Sequence, residues 1–112
     1  MPPDSAKYLR DMLDAVQAIE QLTQGQTLDD YLRLRPMRDA AQWNFCVIGE
    51  ALAQLKKHDE PAANRITSHQ KIIGLRNQLI HGYGVIDHQI TWNIITQKLP
   101  ILHRELDQLL AE

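Results

Sequence analysis

An all-α fold, an antiparallel helical bundle of four to five helices, is what this sequence predicts. Three observations point there. Apolar residues recur at steps of three and four along most of the chain. No segment of alternating β-branched residues competes with that period. Residues that start and stop helices fall between the periodic segments, and no internal repeat or low-complexity tract interrupts them.

A first helix is expected from a cap at Asp4 or Ser5 to about Thr23. Its stripe is Leu9, Met12, Val16 and Ile19, with Leu13 and Leu22 beside it. Gly25 breaks it. Thr27 then caps a short helix, LDDYLRL, whose Asp29 and Asp30 sit in the first turn, where the helix dipole favours carboxylates. Pro36 suits the first turn of a third helix, a place where no N–H is needed. That helix carries Ala41, Phe45, Ile48, Leu52 and Leu55 as its stripe, and KKHDEPAAN should end it. A fourth helix runs from near Ser68 to about His81. Asp87 caps a fifth, which reaches Leu110 with Ile95, Leu99, Leu102, Leu106 and Leu109 on one face. Pro100 lies inside this last pattern. It removes one hydrogen bond and crowds the carbonyl of Thr96, so a kink is expected there.

The bounds are equally plain. A chain of 112 residues suffices for one domain with a core and is too short for two, so a single domain over residues 1–112 is expected. Apolar residues make up 44% of it, as in globular proteins. A net charge of −2 provides no global basic field, so any nucleic-acid contact must come from a local patch. The one cysteine, Cys46, cannot form an internal disulfide and is expected to be a small buried apolar residue. No segment resembles a secretion signal, and no apolar run approaches the roughly 20 residues of a membrane span. A cytoplasmic chain without membrane contact is expected. The histidines at 58, 69, 81, 88 and 103 lack paired ligand spacing on any one helix, so neither a metal nor another cofactor is expected.

The fourth helix carries chemistry in its last turns, GLRNQLIHGYG at residues 74–84. At about 100° per residue, Ile72, Leu79, Leu75, Ile80 and Ile73 share one broad arc, and Arg76 falls near its middle. An arginine there must find an anion or face a cleft, because an unpaired buried charge is costly. Asn77 and His81 share a different face. Gly82 can adopt the left-handed conformation that stops a helix, and the carbonyls at such an end favour a protonated imidazole. The helix end is thus expected to gather a guanidinium, an amide and an imidazole around one small volume. Tyr83 follows on a glycine-flanked turn, with its phenol expected to be reachable. On the third helix, Trp43, Val47 and Glu50 lie together opposite the core stripe. Two partly apolar faces suggest that this helix packs inside the chain on one side and against a partner on the other. Glu50 is the candidate anion for Arg76, within one chain or across two.

Taken singly, each of these residues has an ordinary reading. Arg76 fits a structural ion pair, His81 a dipole-assisted helix end, Tyr83 packing over that end, and Trp43 and Trp92 core or interface packing. Arg33, Arg35 and Arg38, and Lys56 with Lys57, fit solvated faces. The combination of Arg76, Asn77, His81 and Tyr83 is what raises a functional reading above these.

RNQLIHGY also fits the R-x-x-x-x-H-x-Y signature of the HepT-like branch of the HEPN proteins, through Arg76, His81 and Tyr83. NFCVIGEAL resembles the Asn-x-x-x-Ile-Gly-Glu-Ala segment of that branch. The stretch from Ile72 to Pro100, with Asp87, Trp92, Asn93 and Leu99-Pro100, is similar to its fourth and last helices. One departure is Trp43, where many relatives carry an arginine, which removes a positive group. The resemblance implies the toxin of a type II toxin–antitoxin pair: a metal-independent ribonuclease that dimerises, so that two R-x-x-x-x-H motifs meet in a cleft. It also implies a partner, a minimal nucleotidyltransferase of the MNT class, which silences the toxin by transferring AMP to the motif tyrosine, here Tyr83.

The residue types suit that chemistry. RNA, whether tRNA or mRNA, supplies its own nucleophile, the 2′-hydroxyl. A histidine can take that proton or give one to the leaving oxygen. An arginine can hold the non-bridging oxygens as charge builds, with Asn77 and Glu50 in support. AMP on Tyr83 would set a bulky anion beside Arg76 and His81. The alternative is a non-catalytic nucleotide- or protein-binding subunit that pairs with a nucleotidyltransferase. The low net charge and Trp43 favour it, and the intact motif favours the enzyme.

Overall fold

The computed structural model describes residues 1–112, Tyr83 by its backbone alone. Four long helices set the frame; the first three are α1 (Pro3–Thr23), α3 (Arg35–His58) and α5 (His69–His81), and the fourth lies at the end of the chain. Short helices α2 (Leu28–Arg33) and α4 (Glu60–Asn64) join them. After α5 a 3₁₀ turn (Tyr83–Val85) leads into α6 (His88–Asn93), a π-helical stretch (Ile94–Lys98) and α7 (Leu99–Ala111), which follow one another directly. No strand is present among the described residues. No helix among them is long and apolar enough to cross a membrane.

The expected stripes form the core. Leu9, Met12, Val16 and Ile19 of α1 face Phe45, Ile48, Leu52 and Leu55 of α3, all without solvent contact, and Leu99, Leu102, Leu106 and Leu109 of α7 close over them. Neighbouring long helices run antiparallel. Ser5 at the start of α1 meets Asp59 at the end of α3, Glu20 of α1 meets His103 of α7, and Gly49 of α3 meets Arg76 of α5. Tyr31 of α2 is fully buried, with its ring 5.3 Å from that of Trp92, which roots the α6 segment on the core.

Several local expectations change. Neither Asp4 nor Ser5 caps α1. The helix starts at Pro3, which needs no N–H partner in a first turn, and no side chain caps it. Ser5 is buried instead, its Oγ donating to Asp59 Oδ2 at 2.7 Å. Asp59 in turn caps α4 by accepting from Ala62 N, so KKHDEPAAN ends α3 and immediately begins another helix. Thr27 caps α2 as expected, in a reciprocal pair with Asp30. Gly25 takes the left-handed conformation, with φ at +74°, and Gly82 does not, with φ at −128°. The end of α5 therefore needs no left-handed glycine: Gly82 N–H closes on Gln78 O at 2.8 Å, and Val85 N–H on Gly82 O at 3.0 Å forms the next turn.

Pro100 interrupts the last helix through the turn before it. Leu99 N–H reaches back five residues, to Ile94 O, and the widened turn keeps the Thr96 carbonyl from the proline ring. Thr96 Oγ1 donates to the carbonyls of Trp92 and Asn93, at 3.2 and 3.3 Å, where the helical ladder is loosened.

Candidate functional site

The site grows from a close crossing of α3 and α5. A Cβ added at Gly49 would stand 2.4 Å from Arg76 Cβ and 2.7 Å from its Cγ. Only a residue without a side chain lets the Arg76 stem lie across α3 there. The stem is thereby desolvated and the guanidinium is delivered to the edge of α3, where Glu50 is the next residue. Arg76 Nη2 donates to Glu50 Oε2, and Nη1 donates to Asn77 Oδ1 at 2.7 Å. The Nε is buried and has no hydrogen-bond partner among the described residues. Glu50 is steadied from the other side by Gln54 Nε2, which donates to Oε1 at 3.1 Å. The hydrogen bonds from Gln54 and Arg76 hold its carboxyl below the usual carboxylate range, so the pair stays charged at neutral pH.

The pair lies within one chain and borders a groove of about 430 Å³ between α1, α3 and α5. Trp43, 69% exposed, and Ile80, 47% exposed, form its apolar rims, with Val47 between them. Lys7 and Asp11 of α1, bonded to each other at 2.9 Å, close one side. Cys46 lines this groove and is half-buried rather than enclosed in the core. Burial pushes its thiol pKa up, and the Arg76 guanidinium opposes that shift. Trp43, Val47 and Glu50 do share one face of α3. Trp43 touches solvent there, while Trp92 packs partly buried against the core.

At the end of α5 hydrogen bonds join the guanidinium to the amide, and the imidazole stands beyond them. Arg76 and Asn77 come together at Glu50, whereas His81 is exposed at the last turn of α5. No hydrogen bond joins His81 to any of the three among the described residues. Five residues separate Arg76 from His81, which places them about 140° apart around the helix and about 7.5 Å apart along it. The phenol of Tyr83, expected to be reachable, lies outside the described residues. Of the basic runs, Arg33 pairs with Asp30 at 2.9 Å and Arg35 with Asp39 at 3.2 Å, while Arg38 donates to the carbonyls of Tyr31 and Leu32. Among the described residues no three of His, Cys, Asp and Glu stand together as metal ligands would.

Gly49 lies within the Ile-Gly-Glu-Ala segment, yet sequence reasoning gave it no role. Its signal was available: glycine inside the most regular helix costs about 1 kcal/mol against alanine and marks a close approach.

An all-α bundle thus delivers an arginine to a carboxylate on the neighbouring helix. The family model described as Ribonuclease HepT-like matches residues 12–109, and the chain belongs to that family. It is 28% identical over 112 residues to "Gamma-glutamylcyclotransferase and putative RNase" of Methanocaldococcus jannaschii, covering all of this chain and 50% of that protein. It is 24% identical over 105 residues to a "Putative RNase" of Caldanaerobacter subterraneus subsp. tengcongensis, covering 94% of this chain and 93% of the relative. It is also 24% identical over 102 residues to "Probable ribonuclease HepT" of Thermococcus cleftensis, with 91% and 92% covered. The chain therefore spans half the length of the first of these and nearly all of the other two. No solved structure matches it.

The Gly49 crossing makes a prediction whose sign is decisive. With Arg76 Cβ only 2.4 Å from the added methyl, overpacking at Gly49→Ala costs about 2–3 kcal/mol, the upper part of the usual range, against about 1 kcal/mol that alanine gains over glycine in a helix. The net expectation is a loss of about 1–2 kcal/mol, read as a lower urea midpoint at unchanged slope. A variant as stable as the parent, or more stable, contradicts the close packing of Arg76 on Gly49.

Proposed function

We propose that residues 1–112 form a single-domain endoribonuclease that needs no metal, and that it is the toxin of a type II toxin–antitoxin pair. It acts as a homodimer in the cytoplasm on tRNA or mRNA. A cognate MNT-type nucleotidyltransferase silences it by transferring AMP to Tyr83. Membership of a ribonuclease family carries the reading, together with one observation: α5 delivers Arg76 to a fixed position and ends in an exposed His81.

In the proposed reaction the 2′-oxygen of the RNA forms a bond to phosphorus as the bond from phosphorus to the 5′-oxygen breaks. One imidazole accepts the 2′-hydroxyl proton, and one protonated imidazole gives a proton to the 5′-oxygen. Arg76 meets the charge that builds on the non-bridging oxygens, with Asn77 and Glu50 holding its guanidinium in place. The separation of Arg76 from His81 on a single helix favours a site completed by a second copy, whose His81 takes the other proton-transfer role. The groove with exposed Trp43 and Ile80 offers an apolar face for that copy.

A second reading, a non-catalytic nucleotide- or protein-binding subunit of the same pair, is favoured by one feature. The Arg76 charge is already met by Glu50, so a phosphate must share or displace that carboxylate.

Purified protein should cut tRNA or mRNA equally with and without EDTA. His81→Ala and Arg76→Ala should each lower the rate by about 10²- to 10⁴-fold with helical circular dichroism retained. A folded His81→Ala protein cutting at the parental rate removes the proton-transfer role. Intact RNA with the parent protein, beside retained binding to the nucleotidyltransferase, selects the second reading.

Coexpression with the nucleotidyltransferase should add the mass of one or more AMP groups to the parent chain and suppress cleavage in step. Tyr83→Phe should stay unmodified and toxic. If it is modified as fully as the parent, the acceptor is another residue.

A further inference from the structure

A second groove runs along the side of α5 turned away from the Glu50 contact. It holds about 810 Å³, nearly twice the volume of the groove at Arg76, and lies between α5 and the α6–π segment. Its α5 wall is Lys71, Gly74, Leu75 and Gln78, at steps of three, one and three. The same helical row continues three residues on, to the exposed His81. Its other wall is Asn93 at the end of α6 and Gln97 and Lys98 of the turn that Pro100 widens, with the exposed Ile90 at its rim. Two ammonium groups and three carboxamides line it, and no carboxylate does. An added Cβ at Gly74 would meet nothing within 4 Å, so the floor is open at its middle.

We propose that this groove binds a stretch of single-stranded RNA, and so holds the substrate strand on one side of the bond cut at His81. The inference rests on the ribonuclease reading and adds a strand-binding site that the cleavage chemistry does not require. The chemistry of the lining selects the ligand. Lys71 and Lys98 suit backbone phosphates, which they neutralise without reading sequence. Gln78, Asn93 and Gln97 each present both a donor and an acceptor to base edges, and the aliphatic residues offer a surface to the base faces. In a chain with a net charge of −2, this local patch supplies the attraction that the whole molecule lacks. Ten residues of helix separate Lys71 from His81, about 15 Å along the axis, a length that a few nucleotides of extended strand cover. The groove stays open when a second copy covers the Trp43 face, because α5 presents the two on different sides.

The test measures binding without cleavage. The full chain, with His81 intact, is titrated with a fluorescein-labelled, unstructured 2′-O-methyl RNA of about a dozen nucleotides, which lacks the nucleophilic hydroxyl. Lys71→Gln/Lys98→Gln should weaken binding by roughly tenfold or more at low salt. It should also reduce the slope of log affinity against log salt by about 1.4, the value for two phosphates of a single strand. Gly74→Met keeps every charge and fills the open floor, and it should weaken binding while leaving that slope in place. Lys56→Gln/Lys57→Gln, at the end of α3, should change neither quantity. Parental affinity and slope in Lys71→Gln/Lys98→Gln overturn the groove, including the case in which that variant instead loses its protein partner. If such a variant still cleaves RNA, the ribonuclease reading survives the loss. A parent chain that neither binds nor cleaves RNA overturns both.

Discussion

The contact of Arg76 with Gly49 is the constraint on which the arrangement of this molecule depends. Two helices can approach this closely only where one of them has no side chain. The contact sets the distance between α3 and α5, and so decides how far the Arg76 stem is buried and where its guanidinium emerges. Glu50 follows directly in the chain, and the carboxylate that meets the guanidinium is therefore positioned by the same turn of helix that admits its stem. The other side of α3, with Phe45, Ile48, Leu52 and Leu55, is fixed in the core against α1. A rigid core thus carries one wall of the candidate site, and α5 is docked on it through the residue that gives the site its charge.

From that docking, α5 presents different chemistry on different sides. Ile72 and Leu75 are buried toward the core, Arg76 turns to Glu50, and the row from Lys71 through Gln78 borders the larger groove. The far wall of that groove owes its shape to Pro100. A proline cannot follow an ordinary helical turn without a clash, and widening the preceding turn relieves it. The same residue that breaks the hydrogen-bond ladder therefore orients Gln97 and Lys98.

Much of this was legible in the sequence because helical periodicity is a strong signal over long segments. The stripes of α1, α3 and α7 are buried where their spacing put them, and Thr27 and Asp87 cap the helices that follow them. Local ends were less legible. Ser5 looks like a cap but is drawn into the bond with Asp59, a partner 54 positions away. Gly82 looks like a left-handed stop but closes α5 with an ordinary negative φ, because the following 3₁₀ turn already satisfies its carbonyl. Cys46 reads as a core residue by type, yet lies on the groove side of α3. For the candidate site, the pairing of Arg76 with Glu50 followed from charge and face alone. The exposure of His81 at the last turn of α5, with no hydrogen bond to that pair among the described residues, could not be read from the motif, because the motif fixes spacing along the helix and not partners.

In the proposed reaction the RNA's own 2′-oxygen attacks the phosphorus, with His81 moving protons and Arg76 holding charge. The end groups of the products test it most directly. A 5′-labelled and a 3′-labelled RNA, cut in EDTA and resolved by mass spectrometry, should yield a 2′,3′-cyclic phosphate or its hydrolysed phosphate on one fragment and a 5′-hydroxyl on the other. Fragments bearing a 3′-hydroxyl and a 5′-phosphate would mean that water or another nucleophile attacked, and would contradict the mechanism assigned to these residues.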